Sequence, residues 1–210
     1  MKIAIVGAGR VGTALARRLA DRDEVLVGSR DPERGQAVAD ELGAAGSGSY
    51  REVAEAADLV IFAVPWWGLQ ESLAQVGELE GKVVVDTVNP FTDDSYTTMV
   101  ELRGSSAAEE IQKAKPKARV VKGWNTVHAQ VIDSPAGPDF NGIKTNVFLC
   151  GEDPEARAVT AALAQELGYA PVDCGPLSSA RFLEAISGLK VRLSYDLGMG
   201  TEQAINLLER

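Results

Sequence analysis

Short runs of consecutive apolar residues alternate along the chain with stretches whose apolar positions recur every three to four residues. Lys2-Ile3-Ala4-Ile5-Val6 reads as a strand buried on both faces, because such strands are continuously apolar rather than alternating. A helical apolar pattern runs from Val11 to Leu19, and a second strand covers 24–27. The same spacing predicts a helix over 50–57, a strand over 58–64 stopped by Pro65, a helix over 66–76 and a strand over 82–86. Residues 91–104 read as an irregular insertion. Ser105 or Ser106 caps a helix reaching Lys113, with Glu109 and Glu110 in its favourable first turn. A strand over 119–122, a Gly/Pro-rich loop over 133–143, a strand over 146–150, a helix over 154–167 and a strand over 171–174 follow. Helices over 178–196 and 201–209 complete the pattern.

Alternation of this kind predicts an α/β fold with a doubly wound, mostly parallel sheet. Residues 1–143 form its larger part, and 144–210 a small C-terminal α/β and helical extension. Ligands of such sheets gather beyond the carboxyl ends of the strands. The segments there are Gly7 to Gly12, Ser29-Arg30, Ala63-Val64-Pro65-Trp66, Asn89-Pro90 and Gly123 to His128.

The first of these is Gly7-Ala8-Gly9-Arg10-Val11-Gly12, a GxGxxG between a predicted strand and a predicted helix. Gly7 allows the tight turn, Gly9 lets backbone approach a pyrophosphate, and Gly12 lets the helix lie close on the strand. The helix N-terminus adds free N–H groups and partial positive charge. A dinucleotide is the expected ligand.

The tip of the second strand selects which one. An NAD site usually carries Asp or Glu about twenty residues past the glycines, bonded to the ribose 2′-OH. Ser29 and Arg30 stand there instead, with Arg34 one helical turn further on. A hydroxyl and two guanidiniums suit a 2′-phosphate. The expected cofactor is NADP(H).

Charge sharpens this. The 210 residues carry 21 Lys+Arg against 30 Asp+Glu, so the net charge is −9 and a basic corner stands out against an acidic surface. No basic run suggests nucleic acid as a partner. The longest apolar run, 59–69, is interrupted by Pro65 and Gly68 and is too short to span a membrane. Residues 1–20 hold the glycine fingerprint rather than a cleavable signal. Cys150 and Cys174 lack CxxC spacing, which fits reduced thiols in a cytoplasmic protein. One histidine and no clustered cysteines provide no metal-ligand set.

The remaining segments have two readings each. Trp66-Trp67 either walls a flat cofactor, Trp66 being nearer the strand end, or serves as core or dimer-contact aromatics. Asn89 before Pro90 either bonds ribose or carboxamide or makes an Asx-type turn. His128, the only histidine, is a weak candidate for a general acid and more readily a structural group. Lys122 reads as a solvated strand-end lysine rather than a catalytic one. Hydride transfer between flat rings needs orientation and water exclusion more than a side-chain acid.

Together these motifs resemble a known family. Gly7 to Gly12, Gly28-Ser29-Arg30 with Arg34, Ala63-Val64-Pro65, Asn89-Pro90, the run from Val120 to Thr126 and the run from Cys174 to Glu184 are similar to those of the NADP oxidoreductases dependent on the deazaflavin coenzyme F420. The same segments occur in the reductase domain of STEAP-type metalloreductases. The resemblance implies a Rossmann-like subunit, homodimeric, passing hydride directly between NADPH and a deazaflavin or, alternatively, FMN or FAD. It places Ser29, Arg30 and Arg34 at the 2′-phosphate, Gly9, Arg10 and Val11 in the pyrophosphate turn, and Asn125 and Thr126 near the stacked rings. The extension would complete the acceptor pocket and the dimer contacts. Asn125-Thr126 departs from the archaeal His-Thr pair, Trp124 replaces a smaller residue or phenylalanine, and Lys190 puts a charge in a helix that is usually more apolar. Other classes are a small imine or hydroxyacid reductase and a non-catalytic NADP-binding sensor or partner subunit.

Overall fold

A computed structural model describes residues 1–208. Its first strand, β1 (Lys2–Val6), sends Ile3 and Ile5 into the apolar layer on one side of the sheet and Ala4 and Val6 into the layer on the other. The period of two in a strand divides every central strand in the same way. Leu59 and Ile61 of β4 (Leu59–Phe62) face the first layer, and Val60 and Phe62 face the second. Helices α1 (Arg10–Ala20), α6 (Ala129–Ile132) and α7 (Pro154–Glu166) cover the Ile3 side. Helices α3 (Tyr50–Ala56), α4 (Leu69–Gln75), α5 (Ala107–Ala114) and α8 (Ala180–Val191) cover the Val6 side.

The remaining strands are β2 (Glu24–Gly28), β3 (Gly46–Gly48), β5 (Val83–Asp86), β6 (Arg119–Lys122), β9 (Asn146–Gly151) and β10 (Ala170–Asp173). The eight-stranded sheet has the order β10-β9-β6-β5-β4-β1-β2-β3. From β3 to β6 all pairings are parallel, whereas β9 runs antiparallel to β6 and β10 parallel to β9. The order 3-2-1-4-5-6 is that of the Rossmann fold, whose strand order reverses between β1 and β4. There α1, which follows β1, and α4, which follows β4, lie on opposite faces, opening a crevice over the carboxyl ends of the two strands.

Some details differ from the sequence pattern. The helix expected over 201–209 does not form over its described part, 201–208. Gly198 and Gly200, both at positive φ, precede it, and the tail bonds to β9 instead. Leu207 N donates to Asn146 Oδ1 at 2.6 Å, and Asn146 N donates to Asn206 Oδ1 at 3.1 Å. The loop over 133–143 contains a two-stranded hairpin, β7 (Asp139–Phe140) and β8 (Ile143–Lys144). Its turn, Asn141-Gly142, has φ of 56° and 87°, the left-handed pair that an Asn-Gly hairpin demands. β3 is Gly-Ser-Gly and carries no apolar signal. Helix α2 (Pro32–Leu42) is capped by Asp31 and ended by Gly43 at φ 63°. Among the described residues no helix is long and apolar enough to cross a membrane.

Candidate functional site

The crevice is built around the glycine turn. Gly7 has φ 113°, and its N donates to the Gly28 carbonyl at 3.1 Å. A Cβ on Gly7 would lie 2.6 Å from the Ala63 carbonyl oxygen, and one on Gly12 would collide with the Gly7 carbonyl. Gly9 is different. A Cβ there would meet only the Ala63 oxygen, at 3.9 Å. The room above Gly9 is therefore not filled by protein. Gly9 is also the N-cap of α1, with no side-chain cap and no acidic residue in the first turn. Arg10 is exposed and Val11 half-buried beside it. Unpaired N–H groups, the helix dipole and an open cradle together fit a pyrophosphate.

The basic corner lies at the end of β2. Ser29 is largely buried, and its Oγ accepts from Asp31 N at 3.2 Å. Arg34 Nη2 donates to the Ala8 carbonyl at 3.0 Å, so its guanidinium reaches from α2 to the glycine turn. Arg30 Nη1 is paired with Glu71 Oε2 of α4 at 2.7 Å. Sequence reading missed Glu71, because only the fold carries α4 across to the tip of β2. Ser29, Arg30, Ser47, Ser49 and Glu71 share an open groove of about 1310 Å³.

Beyond β4, Val64 is buried, Pro65 exposed, and Trp66 half-buried against the core. Trp67 is the more open of the two tryptophans, at 48% exposure. It faces Tyr96 at 6.1 Å between ring centroids, and Tyr96 stands edge-on to Phe91 at 5.5 Å. The insertion after β5 thus folds an aromatic group against the turn that follows β4.

The ends of β5 and β6 are joined by a reciprocal amide pair. Asn89 Nδ2 donates to the Asn125 carbonyl at 2.9 Å, and Asn125 Nδ2 donates to Asn89 Oδ1 at 3.0 Å. Pro90, next in the chain, is buried. Ser187 of α8 also donates to the Asn125 carbonyl, at 2.9 Å. Asn125 Oδ1 and Thr126 Oγ1 are buried without a hydrogen-bond partner among the described residues. Trp124, at φ 54°, turns its ring inward against Tyr169, edge-on at 6.2 Å, and so belongs to the core rather than to the crevice wall.

His128 is buried, and its Nε2 bonds Ser194 Oγ at 2.7 Å. Burial first, and the Lys190 charge second, push its imidazolium down to about 4. At neutral pH it is a neutral ring with no proton to spare.

Lys122 overturns the solvated-lysine expectation. It is fully buried, with Nζ 2.6 Å from Asp86 Oδ2, 2.8 Å from Glu184 Oε1, and donating to the Val88 carbonyl at 2.6 Å. Burial alone would lower its pKa, but the two carboxylates outweigh that and hold it raised. Glu184 also accepts from Ala107 N at the start of α5, at 2.9 Å. This cluster ties β5, β6, α5 and α8 together beneath Asn89.

Among the described residues no group of three or more His, Cys, Asp or Glu could hold a metal. Cys150 and Cys174 are free, and burial pushes the Cys150 thiol up to about 12.

Strand order, glycine cradle and basic corner define a nucleotide-dependent oxidoreductase of the Rossmann class. The chain belongs to the coenzyme F420-dependent NADP oxidoreductases, whose family model matches residues 2–90. The F420-dependent NADP reductase of Methanocaldococcus jannaschii is 30% identical over 92% of both chains. The metalloreductase STEAP3 of Rattus norvegicus is 32% identical over 88% of this chain but only 36% of its own length. A crystal structure from Arthrobacter sp. FB24, which carries the F420-dependent NADP-reductase name provisionally, superposes over 100% of both chains with a TM-score of 0.89 and 31% identity. The imine reductase of Streptomyces aurantiacus, 18% identical with a TM-score of 0.66, shares the fold alone.

Proposed function

We propose that this protein moves a hydride directly between NADP(H) and a deazaflavin of the coenzyme F420 type. The observation that carries this is the cradle over Gly9, which lies between the basic corner and the paired loops of Asn89 and Asn125. Gly7, Gly9, Arg10, Val11 and Gly12 would hold the pyrophosphate on unpaired N–H groups of α1. Ser29, Arg30 and Arg34 would hold the 2′-phosphate by charge-assisted bonds. Ala63, Val64, Pro65 and Trp66 would support the riboses and ring from the side of β4. Asn89, Pro90, Asn125 and Thr126 would form the floor under the nicotinamide. NADPH supplies the hydride when bound. The chain orients the two rings and excludes water, with no covalent bond to the enzyme.

FMN or FAD is the alternative acceptor, favoured by Asn125-Thr126 at the position where the archaeal pattern has His-Thr. A homodimer is part of the same proposal. Phe182 and Leu189 of α8, with Leu197 beyond it, expose 72%, 56% and 64% of their surfaces, an apolar stripe suited to a second copy.

The test is NADPH oxidation by the purified protein, run separately with F420, FMN and FAD beside binding titrations of each. Turnover with F420 alone supports the proposal, and turnover with FMN or FAD alone makes the protein a flavin reductase. Tight NADPH binding without turnover in any of the three overturns both in favour of a sensor or partner subunit.

A further inference from the structure

Helix α8 lays one stripe of side chains along the loop that leaves β6. Ser187 donates to the Asn125 carbonyl at 2.9 Å. Ser194, two turns on in the π-helical turn Arg192–Asp196 that continues α8, bonds His128 Nε2 at 2.7 Å and donates back to the Lys190 carbonyl at 2.9 Å. Residues three and four apart share a helix face, so Lys190 stands between these contacts, over the loop from Asn125 to His128. It is 1% exposed, and its Nζ has no partner among the described residues.

Two more buried atoms on the same loop are also unpaired, Asn125 Oδ1 and Thr126 Oγ1. Native interiors leave few such atoms, and a lone buried ammonium is the costliest kind. A donor cation, a carbonyl acceptor and a hydroxyl that does either thus belong to one contact, between α8 and the loop that leaves β6. That set complements a ring edge in which carbonyl and N–H groups alternate. The pyrimidinedione edge shared by deazaflavins and flavins has this pattern.

We propose that Lys190 is a catalytic residue of the hydride-acceptor site, its Nζ donating to the pyrimidinedione edge of the acceptor. The inference rests on the functional reading above and assigns it a residue. Hydride from C4 of the dihydronicotinamide forms the new bond on the acceptor ring, and the displaced electron pair moves to the conjugated N–C=O edge. Lys190 stabilises that charge and transfers a proton to the ring nitrogen. The neutral amine then regains a proton from water, so one NADPH, one proton and one acceptor give NADP+ and the two-electron-reduced acceptor.

Burial lowers the Lys190 ammonium to about 7, which suits a proton donor at neutral pH. The titratable group facing it is His128, which is neutral there. Glu184 of the same helix turns to Lys122 and Ala107 N, and Glu109 of α5 is held by Arg181.

Lys190→Met and Lys190→Arg test the assignment. Methionine fills the space without charge, and arginine keeps the charge but does not titrate near neutral pH. Three readouts are needed: NADPH affinity, F420 or flavin affinity by fluorescence without NADPH, and hydride-transfer rate from pH 5.5 to 9. Lys190→Met is expected to bind NADPH like the wild type. It should lose about tenfold or more in acceptor affinity and in rate, roughly the effect of one charge-assisted bond. The wild-type rate should fall above about pH 7; both variants should lack that limb, and the Arg variant should recover acceptor affinity but not the rate that proton transfer supplies. If the wild type turns over an acceptor and Lys190→Met matches it in affinity and pH profile, the Lys190 assignment falls and the function stands. If the wild type binds none of the three acceptors, both fall.

Discussion

Arg30 is engaged before any cofactor arrives, by Glu71 at 2.7 Å. Both side chains are about half exposed, and such surface pairs contribute about 0–1 kcal/mol. A dianionic 2′-phosphate displaces so weak a partner but must compete with it. Glu71→Gln is expected to tighten NADPH up to about fivefold in low salt and leave NADH unchanged. Arg30→Ala should do the reverse, weakening NADPH about tenfold or more with little effect on NADH. Equal shifts for both cofactors in calorimetric titrations would sink the phosphate assignment.

His128 gives a second expectation at this scale, in acid. Its folded pKa of about 4 lies below the ordinary 6.5, so the unfolded chain takes up the proton first. Stability is therefore whole above pH 6.5, falls as pH drops and levels off below about 4. The loss amounts to about 3 kcal/mol at about 1.4 kcal/mol per unit. His128→Asn should flatten that part of the urea-midpoint profile. An unchanged slope would mean that the ring is protonated in the fold.

The strands themselves explain why Lys122 was misread and Arg34 was not. Arg34 belongs to a local pattern, a basic tip and the helix after it, and its position follows from spacing along the chain. Lys122 ends a strand, where a lysine usually reaches water. Its partners are Asp86, at the same register of the neighbouring strand β5, and Glu184, on α8. Neither is a neighbour in sequence. A readable signal did exist: acid and base closing two adjacent strands directly after the apolar pairs Val84-Val85 and Val120-Val121. Lys122→Met leaves two carboxylates buried without their cation, at a cost of about 3–5 kcal/mol and on the order of 10 °C in melting temperature. Differential scanning calorimetry reads this directly. A melting temperature within about 2 °C of the wild type would show that the cluster does not hold β5, β6 and α8 together.

For the whole molecule, the doubly wound sheet and the crevice were legible because apolar runs and one glycine turn are strong, local signals. The antiparallel entry of β9 was not. An apolar strand reads the same in either direction, and the hairpin of β7 and β8 that reverses the path was hidden in a loop, although Asn141-Gly142 marks it. The tail was misread because apolar spacing after Gly200 resembles a helix, while Asn146 and Asn206 bind it to β9 by side-chain amides that leave no periodicity.

The reversal of β9 and β10 has a practical side. Because these strands point the other way, the turn after β10 opens on the rim of the sheet opposite the nucleotide crevice, where Cys174 sits half-buried. Cys150, the other sulfur, is shut inside. The native protein is in effect a single-thiol molecule; burial raises the Cys174 pKa, so a dye or a surface tether would be attached there at mildly alkaline pH, away from the working rim.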